Sequence, residues 1–176
     1  MIISAIKSKD VSDKRSVLHP ETIKNLISKG IEIIFESGIG DGIHVGDQTF
    51  IDLGAKPVSR ESCFSDAEII LTPSPIDDHE VKQIAGGKTL MGMVNPFDKQ
   101  ELLKNLCDSN INLVSMEFVP RITRAQKMDV LSSQANLAGY VAVIESSSLL
   151  SSAMPMMMTA AGTLKPARVF VIGAVS

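Results

Sequence analysis

No run of apolar residues in this chain approaches the roughly 18 to 20 needed to span a bilayer, so a membrane-crossing helix is excluded at the outset. The N-terminus, MIISAIKSKD, is too short and too interrupted for a secretory signal. Cysteine is scarce. Cys63 and Cys107 lie far apart with no CxxC pattern, which removes a disulfide framework and points to a reducing cytoplasm. The three histidines, His19, His44 and His79, fall in no HExxH or ligand-spaced cluster, so no metal is expected. Positive charge of one sign is lacking too. The net charge is −3 and the lysines are scattered, which gives nucleic acid no basic stripe to grip.

What is present suits a folded domain. With 176 residues, 44% of them apolar and 21% charged, the chain can bury a core of ordinary size. Short apolar runs alternate with amphipathic ones. Strands are predicted at residues 1–6, 31–35, 69–72, 89–94 and 111–115. Helices are predicted at 20–29, with Pro20 at the start and Gly30 as the stop, in a short turn ending at Gly54, at 77–84, and from a cap at Asp98 to about Cys107. The loop 37–47 carries four glycines. This alternation implies crossover units, hence an α/β fold with a Rossmann-like parallel sheet and helices on both faces. The expected organisation is a domain over 1–122, a connecting segment and long helix over 123–150, and a linker with a further opening strand over 151–176. No internal repeat or low-complexity tract interrupts it.

The most informative segment is residues 119–140, VPRITRAQKMDVLSSQANLAGY. Arg121, Gln126, Asp129 and Ser132 step by five, three and three residues. A helix beginning near Ala125 would project the last three from one side and turn Met128, Leu131, Ala135 and Ala138 toward a core. A solvated helix face with a local ion pair is the ordinary account of such a pattern. The C-terminus adds a second signal. Residues 168–172, apolar after Arg168 and rich in β-branched side chains, enter Gly173 as the first strand of a dinucleotide-binding fold enters its phosphate turn. The sequence then reads Gly173-Ala174-Val175-Ser176, without the three glycines and following helix that would receive a pyrophosphate.

These stretches resemble the NAD(H)-binding component of proton-translocating nicotinamide nucleotide transhydrogenase, within the alanine dehydrogenase/transhydrogenase N-terminal domain family. The R-x4-Q-x2-D pattern is present as Arg121, Gln126 and Asp129, and the likeness runs through ESGIG at 36–40, GMVNPF at 92–97 and PMMMTAAGTLKPARVFVIGA at 155–174. The resemblance implies that Arg121, Asp129 and Ser132 hold the carboxamide and ribose of NAD(H). It implies that Gln126 reaches toward NADP(H) on a partner domain, with Gln126 and Asp129 as the catalytic positions. Hydride transfer from NADH to NADP+ coupled to proton translocation would follow, at the cytoplasmic side of an inner membrane. The implied partners are the remaining transhydrogenase subunits or domains, a membrane component among them, and a second copy in a homodimer. The chain is expected to be a piece of a longer or split product, active only within the complex.

Two other readings compete. One is an inactive relic or non-enzymatic domain of the same fold. The other is an amino-acid dehydrogenase similar to alanine dehydrogenase, for which Lys14 and Arg15 would stand near a substrate-carboxylate arginine. At the places where that family carries a lysine and a catalytic histidine, this chain has Thr72-Pro73-Ser74 and Asn95. Asparagine cannot act as a general acid or base near neutral pH, which counts against proton-coupled dehydrogenation. Of the remaining features, Tyr140 is expected to pack between helix and sheet and the MPMMM cluster at 154–158 to lie under a domain junction. The ESGIGDG loop and His79-Glu80 read as surface features.

Overall fold

The computed structural model describes residues 1–173; Ala174 to Ser176, the end of the expected phosphate turn, lie outside the described residues. The chain divides into a unit from Met1 to Ile122 and a second unit that begins at Thr123.

The first unit is built on six parallel strands: β1 (Ile2–Ala5), β2 (Glu32–Glu36), β3 (Lys56–Val58), β4 (Ile69–Thr72), β5 (Thr89–Gly92) and β6 (Asn112–Ser115). Their spatial order is β3-β2-β1-β4-β5-β6, so the order reverses between β1 and β4. Register follows the hydrophobic pattern. Ile34, Ile70 and Leu90 point to one face, while Ile3, Ile33 and Phe35 point to the other. Helices α1 (Pro20–Ile27) and α2 (Asp47–Asp52) cover the second face through Ile23 and Phe50, and Phe50 meets Phe35 edge to face at 5.4 Å. Helices α3 (Arg60–Asp66), α4 (Asp78–Val81) and α5 (Gln100–Asp108) cover the first face through Phe64, Val81, Leu102 and Leu106. The α/β, Rossmann-like fold is present with helices on both faces.

Several local expectations change. β3 and α3 add to the predicted elements; β3 contains Pro57, which an edge strand tolerates because its nitrogen, which carries no hydrogen, can face away from the ladder. Lys99, not Asp98, is the N-cap of α5, and Asp98 instead accepts a bond from the Asn95 side chain. Gly92 is fixed by crowding, since a Cβ there would lie 1.9 Å from the carbonyl oxygen of Thr72 on β4.

The second unit holds a 3-10 turn (Gln126–Met128), the long helix α6 (Val130–Leu149) and an antiparallel hairpin of β7 (Met157–Thr159) and β8 (Gly162–Leu164). Helix α6 starts at Val130 rather than Ala125, because Asp129 leaves helical geometry at ψ 89° and caps it. Its expected inward face is open: Met128, Ala135 and Ala138 are exposed, as is Tyr140 at 66%. Met156, Met157 and Met158 are exposed rather than buried, for no described residue packs over them. The run 168–172 is not a strand. It has no paired neighbour to complete a ladder, and Phe170 and Ile172 face solvent.

Candidate functional site

In an open parallel sheet, ligand crevices form outside the carboxyl ends of the strands where their order reverses. Here that place lies beyond β1 and β4. The loop after β1 brings Ser8 and Lys9 to the loop after β4, where Ser74 Oγ donates to Ser8 Oγ at 3.0 Å. Arg15 is spoken for. Its Nε and Nη2 grip the Asp13 carboxylate at 2.8 and 2.7 Å, and Nη2 also reaches the Pro73 carbonyl. That hydrogen-bonded pairing with Arg15 holds the Asp13 carboxyl below its usual range. Asn95 occupies a left-handed turn at φ 49°, its backbone N–H donating to Glu117 and its side chain to Asp98.

Beneath this end of the sheet lies an ion cluster that no sequence motif announces. Arg60 Nε donates to Glu80 Oε1 at 2.6 Å, and Arg60 Nη1 donates both to Glu36 Oε2 at 2.7 Å and to the Lys7 carbonyl at 2.9 Å. Lys9 Nζ adds an ion pair to Glu80 at 2.9 Å and another to Asp77. Glu80, expected on the surface, is 3% exposed; Glu36 of the glycine loop is half-buried. Burial on its own would raise the Glu80 pKa. Hydrogen bonds from Arg60, the Asp77 backbone and Lys9 outweigh it and hold the carboxyl below its usual range. Asp77 and Glu80 also form a reciprocal capping box on α4. The cluster joins β2, α3, α4 and the loop after β1, with every charge paired.

The expected nicotinamide residues sit elsewhere. Arg121 is exposed in the last residues of the first unit. Gln126, Asp129 and Ser132 lie at the start of the second unit, around the N-terminus of α6. Asp129 is 5% exposed and caps the helix, its Oδ1 accepting the Ser132 N–H at 2.9 Å and its Oδ2 accepting the Ser132 hydroxyl at 2.5 Å. Because the Ser132 proton is committed to Asp129, the outward lone pairs of Ser132 Oγ are acceptors. Ser132 and the exposed Gln126 line a groove of about 860 Å³ that continues along α6 past Asn136 and Tyr140, with Val171 and Gly173 on its far wall. The structure thus brings Gln126 and Ser132 to one groove, with Asp129 fixing the orientation of Ser132.

Comparison with known proteins decides the family. Residues 6–138 match the model of the alanine dehydrogenase/PNT N-terminal domain. The chain belongs to this family. The first part of the NAD(P) transhydrogenase alpha subunit from Rickettsia prowazekii is 40% identical over 98% of the chain and 46% of the relative. Its counterpart of the same name from Rhodospirillum rubrum is 38% identical over 98% of the chain and 47% of the relative. Among solved structures, the transhydrogenase from Sinorhizobium meliloti superposes with a TM-score of 0.87 at 36% identity, covering 95% of this chain and 50% of that one. The chain therefore spans about half the length of the relatives it matches.

Proposed function

We propose that the chain is part of the NAD(H)-binding component of a proton-translocating transhydrogenase, in which hydride passes from NADH to NADP+. The observation that carries this reading is the groove at the start of α6, where Gln126 and Ser132 converge and Asp129 locks the serine. Its donor set suits the nicotinamide end of a dinucleotide. A carboxamide presents an NH2 that the Ser132 oxygen and the Asp129 carboxylate accept, and a carbonyl that the guanidinium of Arg121, carried to the site by family resemblance, can bind. The bound cofactor supplies the hydride chemistry itself. The protein's role is orientation. Asp129 fixes the Ser132 rotamer, and Gln126, exposed on its 3-10 turn, is free to meet a ring presented by a partner domain.

The remaining partners follow from the same reading: an NADP(H)-binding domain, a membrane component that holds this chain at the cytoplasmic surface, and a second copy in a homodimer. The exposed apolar side chains Leu137, Val141 and Ile144 on α6 support self-association, since a contact between two copies would remove their apolar surface from water. No helix among the described residues is long and apolar enough to cross a membrane, so the membrane step is assigned to the partner. The alanine dehydrogenase alternative is disfavoured by Arg15, held by Asp13, and by Asn95, placed in a turn without a titrating proton. The test is reconstitution. The chain, combined with polypeptides matching the remaining half of its relatives and their membrane partners, should support NADH-dependent reduction of NADP+; a complex that assembles and transfers no hydride would leave the relic reading.

A further inference from the structure

We infer that Arg124 and Lys127 form a cationic collar about Gln126, and that this collar docks an acidic protein face on the partner that presents NADP(H). The inference rests on the function proposed above and adds to it the charge of the partner's surface. The chain is acidic overall, with a net charge of −3, and aspartate and glutamate outnumber lysine and arginine in the first unit. The start of the second unit has the opposite sign. Arg124 and Lys127 flank Gln126 in sequence and are exposed with it, on a turn anchored by the buried Ala125. Neither cation takes part in an ion pair among the described residues, whereas Arg15 and Arg60 both hold carboxylates. The acids of the second unit are Asp129 and Glu145. Asp129 is 5% exposed and its carboxylate is turned into the cap of α6. Glu145 lies about 24 Å along the helix from Asp129, more than twice the screening length of about 10 Å at 0.1 M salt, so it does not offset the collar.

Both side chains are open to solvent, and neither lines the groove that Gln126 and Ser132 share. They are therefore placed for a face arriving from outside rather than for a ligand held within. Charges at the rim of a contact act mainly on encounter, speeding association with a surface of opposite sign and rejecting one of like sign. A guanidinium and an ammonium beside the residue that meets the partner are matched by carboxylates opposite them, and the fork of Arg124 suits one in bidentate contact. The same turn on a second copy carries the same charges and repels this one.

The test is stopped-flow association between the chain, combined with the polypeptide matching the remaining half of its relatives, and the partner's NADP(H)-binding domain. The association rate constant should fall about tenfold as sodium chloride rises from about 20 to about 500 mM. Arg124→Gln combined with Lys127→Gln should lower it about fivefold at low salt and flatten its dependence on salt, and the partner concentration for half-maximal hydride transfer should rise accordingly. Lys127→Glu, which reverses a charge, should slow association further than Lys127→Gln does. A double variant with the parent's association rate and salt dependence would overturn this inference and leave the proposed function standing. The same variant, if it altered only self-association in sedimentation, would overturn it too and give the collar to the acidic first unit of a second copy. A parent complex that docks and transfers no hydride would overturn the proposed function, and this inference with it.

Discussion

Replacing Glu80 by alanine tests whether the ion cluster under the carboxyl end of the sheet holds the first unit together. Glu80 is 3% exposed and receives Arg60 Nε at 2.6 Å, Lys9 Nζ at 2.9 Å and the Asp77 N–H at 3.0 Å. Removing one member of a buried ion pair typically costs 3–5 kcal/mol, because the partner's charge is left unmatched. Here the loss is tempered. Arg60 keeps Glu36 at 2.7 Å and Lys9 keeps Asp77, which places Glu80→Ala at the lower end, about 3 kcal/mol. For a unit of this size that is a fall in melting temperature of about 12 °C. Glu80→Gln keeps an accepting oxygen and should lose about half as much. The pH dependence has a definite sign. The folded-state pKa of Glu80 is depressed, so its contribution is complete above the unfolded glutamate pKa, near pH 4.3, and vanishes as pH falls through the lower folded value. Urea unfolding of both forms at pH 7 and in acid reads the difference directly. A gap below about 1 kcal/mol at pH 7, or one that widens in acid, would refute the argument.

Other expectations follow from single contacts. Gly92→Ala forces a Cβ to 1.9 Å from the Thr72 carbonyl and should cost about 3 kcal/mol or prevent folding, read by chemical denaturation against the parent chain. Cys63 is fully buried, and burial together with the nearby Glu36 carboxylate pushes its pKa up to about 12, whereas Cys107 is exposed. A chromogenic disulfide at pH 8 should therefore titrate one thiol in the native chain and two after denaturation. Asp129→Ala removes the cap on α6 and should cost about 1 kcal/mol of helix stability, visible as lost far-ultraviolet ellipticity, while Asp129→Asn should lose little.

How far the sequence reveals this molecule depends on how far apart the cooperating residues lie. β4 is legible to the residue because an apolar run is cut off by Pro73, and α1 because proline opens it and Gly30 closes it at φ 78°. β3 and α3 are hidden, since three residues around Pro57 and a helix opening Arg60-Glu61 show no apolar period. The ion cluster is invisible for another reason. Arg60 meets Glu36 and Glu80 across separations of 24 and 20 residues, and only the crossovers of the sheet bring them together. At the candidate site, the grouping of Gln126, Asp129 and Ser132 is legible and the geometry is not. Asp-x-x-Ser ahead of an apolar run is an N-cap signal, and it is this signal that fixes the start of α6 at Val130. The apolar face of α6 and the 168–172 run match core patterns, but no described residue covers them.

The most direct test of the proposed nicotinamide site is stopped-flow hydride transfer in the reconstituted complex carrying Gln126→Asn. The substitution keeps the amide and shortens its reach by one methylene, so it disturbs the approach of the two rings without removing a group that holds NADH. The predicted result is a markedly slower transfer step with the dissociation constant for NADH nearly unchanged. Equal losses of rate and affinity, or no loss of either, would contradict the assignment and return Gln126 to an exposed turn with no role in the reaction.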